Sequence, residues 1–266
     1  QTCALPIYVH ERNIPIFVNT DVTDIKENDG KVNEVIVQVQ GEKPKDITGK
    51  AIIVTTGGFG ANGEFIKKYR PDLEGYVTTN QSGSTGDGIT MIEKLGGQTV
   101  DMDKIQIHPT VQQDEGVLIG EAVRGEGAIL VDQTGKRFVN ELDTRDKVSA
   151  AITALPEKSA YLIFDQGVRD RAKAIDFYEK KGYVTSGESI EELAEKMNLP
   201  KEDLSQTIET WNTAVAAKKD EQFDRTTAMD HDLSQPNYYA IKIAPGIHYT
   251  MGGIKINTNT EVLNKE

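Results

Sequence analysis

Residues 238–257, YYAIKIAPGIHYTMGGIKIN, show most clearly what kind of fold the chain adopts. Aromatic and β-branched residues fill both ends of this stretch, and such residues favour β-strands. A proline and several glycines lie between the two ends, and these residue types mark turns. The stretch therefore predicts a strand, a loop and a second strand.

Further elements are predicted towards the N-terminus. Ile14–Asn19 (IPIFVN) has the composition of a short strand. Residues 21–40 hold two alternating runs joined by Asn28-Asp29-Gly30, a strong hairpin signal. Ala51–Thr56 (AIIVTT) is a continuous apolar run, as expected of a strand buried on both faces. Residues 84–97 (STGDGITMIEKLGG) predict a glycine-rich turn and a helix that ends at Gly96-Gly97.

The chain after about residue 108 mixes hairpins with longer helices. Residues 127–141 (GAILVDQTGKRFVNE) predict a second hairpin, and Ser159–Asp165 (SAYLIFD) another strand. Ser189–Lys196 begins with the spacing of a capping box. Residues 203–218 carry one apolar helical face, which makes Trp211 a core anchor. The members of that face are Leu204, Ile208, Trp211 and Val215. The predicted fold class is α+β, with an α/β portion.

Composition limits the functions open to the chain. Its 266 residues are 37% hydrophobic, enough for a sizeable core, and its formal net charge is −12. Nucleic acid is excluded as a partner, because phosphate contacts need a basic surface. No apolar run reaches the roughly 20 residues of a membrane span, and no signal sequence begins the chain. The single cysteine, Cys3, excludes an intrachain disulfide and fits a reducing compartment, the cytoplasm.

Gly58–Gly63 (GFGANG) satisfies the GxGxxG pattern of dinucleotide-binding folds. That reading requires a following βαβ unit with an acidic residue about 20 residues on. Here the helical stretch is short and Arg70-Pro71 ends it. The pattern therefore indicates a glycine-rich exit from a strand, where the backbone allows close approach.

Two of the four histidines lie in unusual surroundings. His108 precedes a proline in QIHPT, and His248 lies between glycines in PGIHYTMGG, so both are expected on extended chain. Each alone fits a histidine satisfied by a backbone carbonyl, as do His10 and His231. No second histidine or cysteine stands at ligand spacing, so no metal site is predicted.

Three charged residues lie in surroundings that are unusual for a charge. Glu121 and Arg124 stand three apart among small and apolar residues, so they form either a partly buried structural ion pair or part of a proton path. Arg145, in NELDTRDKVSA (residues 140–150), is expected in the first turn of a helix that Asp143 or Thr144 caps. A cation there faces the positive end of the helix dipole.

Five segments together resemble one protein family. They are TTGGF (55–59), TNQSGSTGDG (79–88), QIHPT (106–110), EAVRGEGAILVDQTGKRFVNELDTRDKVSAAI (121–152) and GIHYTMGG (246–253). In order and spacing they resemble the flavoprotein of fumarate reductases, closest to the soluble flavocytochrome c type, in the fumarate reductase/succinate dehydrogenase FAD-binding family. The resemblance runs from about Tyr8 to the end and indicates an internal fragment; QTCALPI at the start looks foreign.

The resemblance implies FAD as cofactor and a flavin domain interrupted by a mobile capping domain. Residues 1–107 would belong to a partial FAD-binding domain, 108–247 to the cap, and 248–266 to a truncated return of the flavin domain. The implied reaction is reduction of the C=C bond of fumarate or a similar unsaturated carboxylic acid. The electron donor would lie outside this chain, which by itself is expected to bind FAD weakly or not at all and to be inactive.

The resemblance also assigns roles to residues. Arg145 matches the arginine regarded as proton donor, and Glu121 with Arg124 matches the relay that reprotonates it. The residues implied in substrate binding are His108, His248, Gln106 and Gly120. The residues implied in FAD binding are Gly57, Gly58, Gly86, Asp87, Gly88 and Tyr249. A further substrate arginine of the family would lie beyond Glu266.

Two departures from the pattern leave the substrate open. Gly120 stands where the flavocytochrome type has a threonine that touches a substrate carboxylate, and Leu118 replaces a methionine. A urocanate-like or cinnamate-like enoate is therefore one alternative, and a non-catalytic binding module is another. Relatives occur on both sides of the bacterial membrane, so a periplasmic or cell-surface location also stays open.

Overall fold

A computed structural model describes residues 4–264, with side chains from residue 8 onward. Cys3 and Glu266 lie outside the described residues. The helices are α1 (Ala4–Glu11), α2 (Gly63–Tyr69), α3 (Asp87–Lys94), α4 (Glu121–Gly125), α5 (Arg145–Ala154), α6 (Gln166–Arg171), α7 (Ile175–Lys180), α8 (Ile190–Met197) and α9 (Lys201–Ala217), with a 3-10 turn at Pro71–Leu73.

The strands are β1 (Thr20–Asn28), β2 (Lys31–Val39), β3 (Lys45–Thr48), β4 (Thr99–Val100), β5 (Ile105–Gln112), β6 (Val117–Leu118), β7 (Ile129–Val131), β8 (Ala160–Asp165), β9 (Thr185–Gly187), β10 (Tyr238–Thr250) and β11 (Gly253–Ile254). They form a three-stranded, a six-stranded and a two-stranded sheet, the last made of β4 and β11. Helices and mainly antiparallel strands thus mix along the chain, which confirms the α+β fold class.

The chain divides into two compact units. Unit 1 comprises the described residues of Gln1–Gly57, Asp87–Val100 and Ile254–Glu266, and unit 2 comprises Gly58–Gly86 and Asp101–Gly253. These limits differ from the expected domain boundaries at 107 and 247, which concern function and stay predictions. No helix among residues 4–264 is long and apolar enough to cross a membrane.

Unit 1 is built on the predicted hairpin. β1 and β2 pair antiparallel, and β3 adds to the free edge of β2. Asp29 and Gly30 have φ values of +50° and +74° at the turn, a conformation that Asp-Gly adopts readily. The prediction for residues 21–40 is confirmed, and so is the helix over 87–94, whose Met91 and Ile92 pack on Ile25 of β1.

Two of the strands predicted for this unit do not form, so these predictions are wrong. Ile14–Asn19 is irregular, and β1 begins only at Thr20. Ala51–Thr56 is irregular as well, with Ile53 86% exposed. Among the described residues, no backbone hydrogen bond joins 51–57 to another segment. An apolar β-branched run becomes a strand only where neighbouring strands satisfy its N–H and C=O groups.

Unit 2 is centred on β10, which runs for 13 residues. It lies between β5 and β8 in a sheet of order β6-β5-β10-β8-β7, and β9 also pairs with it. The predicted order of strand, loop and strand is confirmed as β10, residues 251–252 and β11, and Pro245 and Gly246 lie inside β10. Register shifts at 244/246 and 247/249 absorb the irregularity. A Cβ on Gly246 would lie 3.0 Å from Cγ2 of Val111, so this crossing favours glycine.

The helices of unit 2 cover this sheet as their patterns predict. Leu204, Ile208, Trp211 and Val215 of α9 are all buried in the main core. Ser189 caps α8 by accepting from the backbone N–H of Glu192 at 3.2 Å, while Glu192 accepts from the backbone N–H of Glu188. The capping-box prediction is thus confirmed at Ser189, with the return bond one residue earlier than expected.

Candidate active site

Strand pairing in unit 2 gathers the residues of two distant motifs. β5 and β10 are antiparallel, with His108 opposite Gly246 and Gln106 opposite Tyr249. The register shift beside Ile247 turns the chain so that the rings of His108 and His248 lie 5.4 Å apart. Residues 140 positions apart in the sequence thereby face one another.

Arg145 joins this group from helix α5, of which it is the first residue. Its Nη1 donates to Oε1 of Gln106 at 2.9 Å, and its Nη2 donates to Oε2 of Glu121 at 3.2 Å. Thr144 occupies the N-cap position, but its side chain does not cap the backbone N–H groups of the helix, whereas the Asp143 carboxylate accepts from Thr144 N at 2.7 Å. The unfavourable dipole position is therefore offset by two acceptors in other elements.

The ion pair suggested by the spacing of Glu121 and Arg124 is not formed between these described residues. Glu121 is half-exposed and pairs with Arg145 instead. Arg124 is 1% exposed, and its Nη1 donates to the carbonyl of Glu141 at 2.5 Å. The five-residue helix α4 turns the two side chains to different surroundings. Burial lowers the pKa of Arg124 to about 10, against the opposing effect of Glu121 and Glu141.

His108 is buried and held as one neutral tautomer. The backbone N–H of Thr110 donates to its Nδ1 at 3.3 Å, which assigns the proton to Nε2. Burial lowers the pKa of His108 to about 3, and the nearby charges of Arg124 and Arg145 act in the same direction. At neutral pH this side chain is therefore an uncharged donor through Nε2.

His248 is partly buried and close to the charge of Arg145. Its Nδ1 lies 2.8 Å from Oγ1 of Thr79, and its carbonyl accepts from the side-chain amide of Asn80 at 3.0 Å. Burial and the charge of Arg145 lower the pKa of His248. Two hydrogen-bonding but uncharged imidazoles thus stand beside the arginines.

We expect His108 to make the protein sensitive to acid. Above pH 6.5, its ordinary pKa, it is neutral in both the folded and the unfolded chain. Below that pH the unfolded histidine takes up a proton that the folded one does not, so stability falls by up to about 1.4 kcal/mol per pH unit. His108→Gln should flatten this fall in urea-unfolding free energies measured from pH 7 downwards. His231→Gln, at an exposed histidine, is the control and should leave the slope unchanged.

Gly120 precedes α4 and carries no side chain towards the group. Its backbone N–H donates to the hydroxyl of Tyr178 at 2.9 Å, and that hydroxyl donates to the carbonyl of Leu118 at 3.2 Å. A Cβ on Gly120 would meet the Tyr178 hydroxyl at 3.6 Å, an ordinary contact. Position 120 can thus accommodate a residue with a Cβ atom, and the Tyr178 hydroxyl limits the space beside it.

An open cleft of about 1200 Å³ runs along part of the group. Arg145, Gln106 and Glu121 line it, together with Arg70, Lys104 and Met251. His108 and His248 are not among its lining residues. The cleft is therefore lined by Arg145 and its two hydrogen-bond acceptors, Gln106 and Glu121.

The residues expected to meet FAD are divided between the two units. In unit 1, Gly57 is exposed with a φ of +80°, a bare backbone that a flat ligand can approach closely. In unit 2, Tyr249 is 56% exposed beside His248. Each of these positions, taken by itself, leaves surface that a flavin can contact. Side chains at Gly58 and Gly88 would collide with Thr250 and Thr56, and Gly86 packs near Phe59, so these glycines also serve packing. Asp87 begins α3.

A buried charge network, the Trp211 cluster, contacts Arg124 through Glu141. The sequence patterns did not predict it. Its members are Arg137, Glu141, Trp211, Asp220 and Arg225. Arg137 forms paired bonds of 2.7 and 2.9 Å to Glu141 and of 3.1 and 2.9 Å to Asp220. Arg225 donates to Glu141 at 3.1 Å, and both guanidinium groups lie 4.6 Å from the Trp211 ring. Of the hairpin predicted over 127–141, a tight turn forms with a single β-bridge between Val131 and Arg137. The side chains of Arg137 and Glu141 are buried.

The sequence profile of the family described as FAD binding domain matches residues 4–266. The chain is 50% identical over 256 residues to the NADH:fumarate oxidoreductase of Klebsiella pneumoniae, covering 96% of this chain and 28% of that protein. It is 42% identical over 255 residues to a fumarate reductase (cytochrome) of Shewanella frigidimarina, covering 96% and 44%. The chain thus spans less than half the length of these relatives.

A solved structure, the open conformation of a flavocytochrome c3 fumarate reductase, superposes with a TM-score of 0.80 at 38% identity, covering 98% of this chain and 46% of that one. The fold therefore agrees with the sequence match over nearly the whole chain. On both grounds, the chain belongs to the FAD binding domain family found in the fumarate reductases.

Proposed function

We propose that the intact protein reduces the C=C bond of fumarate or a similar unsaturated carboxylic acid with FAD as its cofactor. The observation that supports this most is the group around Arg145: a guanidinium held between Gln106 and Glu121, next to two uncharged histidines. Similarity to reductases of fumarate supports it independently.

FAD, when bound, supplies the hydride that one alkene carbon receives. The residues proposed to contact FAD are Gly57, Gly58, Gly86, Asp87, Gly88 and Tyr249. On this proposal residues 1–107 and 248–266 belong to the flavin domain, and 108–247 form the cap. The electron donor lies outside the chain.

His108 and His248 would bind the substrate carboxylate as hydrogen-bond donors. Negative charge grows on that carboxylate as the C=C bond is reduced, so donors placed there stabilise the transition state more than the ground state. Because His108 stays neutral, its Nε2 proton remains in place across the physiological pH range. Gln106 would orient Arg145 towards the substrate.

Arg145 would deliver the proton to the second alkene carbon. Its Nη2 contacts Glu121, which is exposed enough to exchange protons with water. Arginine rarely gives up its proton, so the loss has to be momentary and Glu121 has to replace it at once. Arg124 would complete the relay from its buried position.

The absence of a side chain at Gly120 favours a second candidate substrate for the same reaction. The space beside it is limited by the Tyr178 hydroxyl rather than by a side chain at position 120. The missing side chain supports a 2-enoate with a bulkier substituent, such as a urocanate-like or cinnamate-like acid, as the second candidate.

A steady-state assay tests the proposal. The intact protein, loaded with FAD, is given a reduced artificial dye and a panel of enoates that includes fumarate, acrylate, urocanate and cinnamate. We expect turnover of at least one, with the saturated acid as product. Turnover of urocanate or cinnamate but not fumarate would select the second candidate.

A further inference from the structure

Arg124 is attached to the Trp211 cluster at both of its ends. Its guanidinium Nη1 donates to the backbone carbonyl of Glu141 at 2.5 Å. Its own backbone carbonyl accepts from Nη2 of Arg225 at 2.9 Å. Glu141 and Arg225 bond to each other at 3.1 Å. The position of the Arg124 side chain is therefore set by two residues that lie outside the group around Arg145.

Arg225 cannot be replaced easily in this arrangement. Its guanidinium donates to the backbone carbonyls of Arg124, Thr227, Ala128 and Ala228 as well as to Glu141. Five donors in a rigid plane suit this set of acceptors, and a lysine ammonium provides only three. Arg225 thus joins the end of α4 to the chain around β7 and to residues 227–228.

The charges explain why Arg124 depends on Glu141. Three buried guanidinium groups, those of Arg124, Arg137 and Arg225, share two buried carboxylates, those of Glu141 and Asp220. Both carboxylates bond to Arg137, and Glu141 also bonds to Arg225. Within the described residues, Nε and Nη2 of Arg124 have no hydrogen-bond partner. Arg124 is therefore the guanidinium left with the least compensation.

We propose that Glu141 and Arg225 are positioning residues for Arg124, and that they fix both its place and its readiness to exchange a proton. This inference rests on the proposed function. The charged groups that act on Arg124 are Glu121, Glu141, Arg145 and Arg225, with His108 nearby. Glu141 and Glu121 raise the pKa of Arg124 against the effect of burial, and Asp220 is not among these groups.

The first test compares two isosteric variants of the intact, flavin-loaded protein. Glu141→Gln removes a charge that acts on Arg124 but keeps the backbone carbonyl that holds it. Asp220→Asn is the matched control: it breaks the charge pairing with Arg137 and has no bond to Arg124. Glu141→Gln also weakens the bond to Arg225, which holds the backbone carbonyl of Arg124. It should therefore lower kcat by about tenfold to a hundredfold, as misplaced catalytic groups do, and move the alkaline limb of the kcat–pH profile to lower pH. Asp220→Asn should lower the Tm and leave that limb in place.

The second test asks whether Glu141 acts through Arg124. In an Arg124→Lys background, Glu141→Gln should cause little further loss of kcat, because residues that work as a unit are not additive. The proposal is overturned if the kcat losses of Glu141→Gln and Arg124→Lys multiply in the double variant. It is also overturned if Glu141→Gln and Asp220→Asn shift the pH profile equally. If Glu141→Gln does not fold, Arg225→Lys replaces it: the lysine keeps the charge and loses the carbonyl contacts, so its effect is read from kcat, which should fall in the wild-type background and fall little further in Arg124→Lys.

A third measurement separates this inference from the proposed function. If the wild-type protein reduces no enoate, the function is wrong, and the positioning is read from the titration of the Arg124 guanidinium by NMR with labelled arginine. Glu141→Gln should lower that pKa and Asp220→Asn should not. An unchanged titration in Glu141→Gln would contradict the positioning even in an active enzyme.

Discussion

Arg145→Lys in the intact, flavin-loaded protein is expected to lower kcat for the enoate by about 10²- to 10⁴-fold, the usual contribution of a positioned general acid. A lysine keeps the positive charge but offers a single ammonium on a flexible stem. It cannot donate in one plane to Gln106 and Glu121, as the Arg145 guanidinium does at 2.9 and 3.2 Å. The loss should therefore appear in kcat more than in KM.

Arg70→Lys is the matched control for this variant. Arg70 lines the same cleft, and its guanidinium is already paired with Asp72 through bonds of 2.8 and 2.7 Å. A change there alters the cleft surface without touching Gln106 or Glu121, so kcat should stay near the wild-type value. A near-normal rate with an unshifted pH profile in Arg145→Lys would remove Arg145 from the acid role.

Trp211→Ala should lower the free energy of unfolding by about 3–5 kcal/mol, as expected when a buried tryptophan leaves a cavity. The ring is fully buried, and Arg137 and Arg225 both lie 4.6 Å from its centre. Its removal takes apolar contacts from the core and cation–π contacts from two buried cations. The change is measured by urea unfolding followed by circular dichroism.

Trp211→Phe provides the control for the Trp211 cluster. The indole Nε1 has no hydrogen-bond partner among the described residues, so phenylalanine loses volume but no hydrogen bond. It should cost clearly less than alanine. An alanine variant as stable as the phenylalanine variant would show that the ring does not support the two arginines.

Local patterns predicted those elements whose stability is decided locally. The Asp29-Gly30 turn, the Ser189 cap and the apolar face of α9 each depend on residues within one turn or one helix. The strands predicted at 14–19 and 51–56 failed because a strand depends on neighbours that the run itself does not specify. Pro245 and Gly246 lie inside β10, because register shifts in its pairing with β5 accommodate them.

The site shows a similar division. His108, His248 and Arg145 were singled out from motifs, but their mutual contacts depend on the β5–β10 register and on the start of α5. The spacing of Glu121 and Arg124 suggested a direct pair that the structure replaces with Glu121–Arg145. The bond between Arg137 and Asp220 spans 83 residues, and no local pattern indicates it.

The most direct measurement mixes the reduced, FAD-loaded intact protein with fumarate and the other enoates in the absence of oxygen and follows the flavin absorbance. We predict rapid reoxidation of the flavin by at least one enoate, with one equivalent of the saturated acid formed per flavin. The same experiment with Arg145→Lys should show slow reoxidation. A flavin that stays reduced with every enoate would contradict the proposed function.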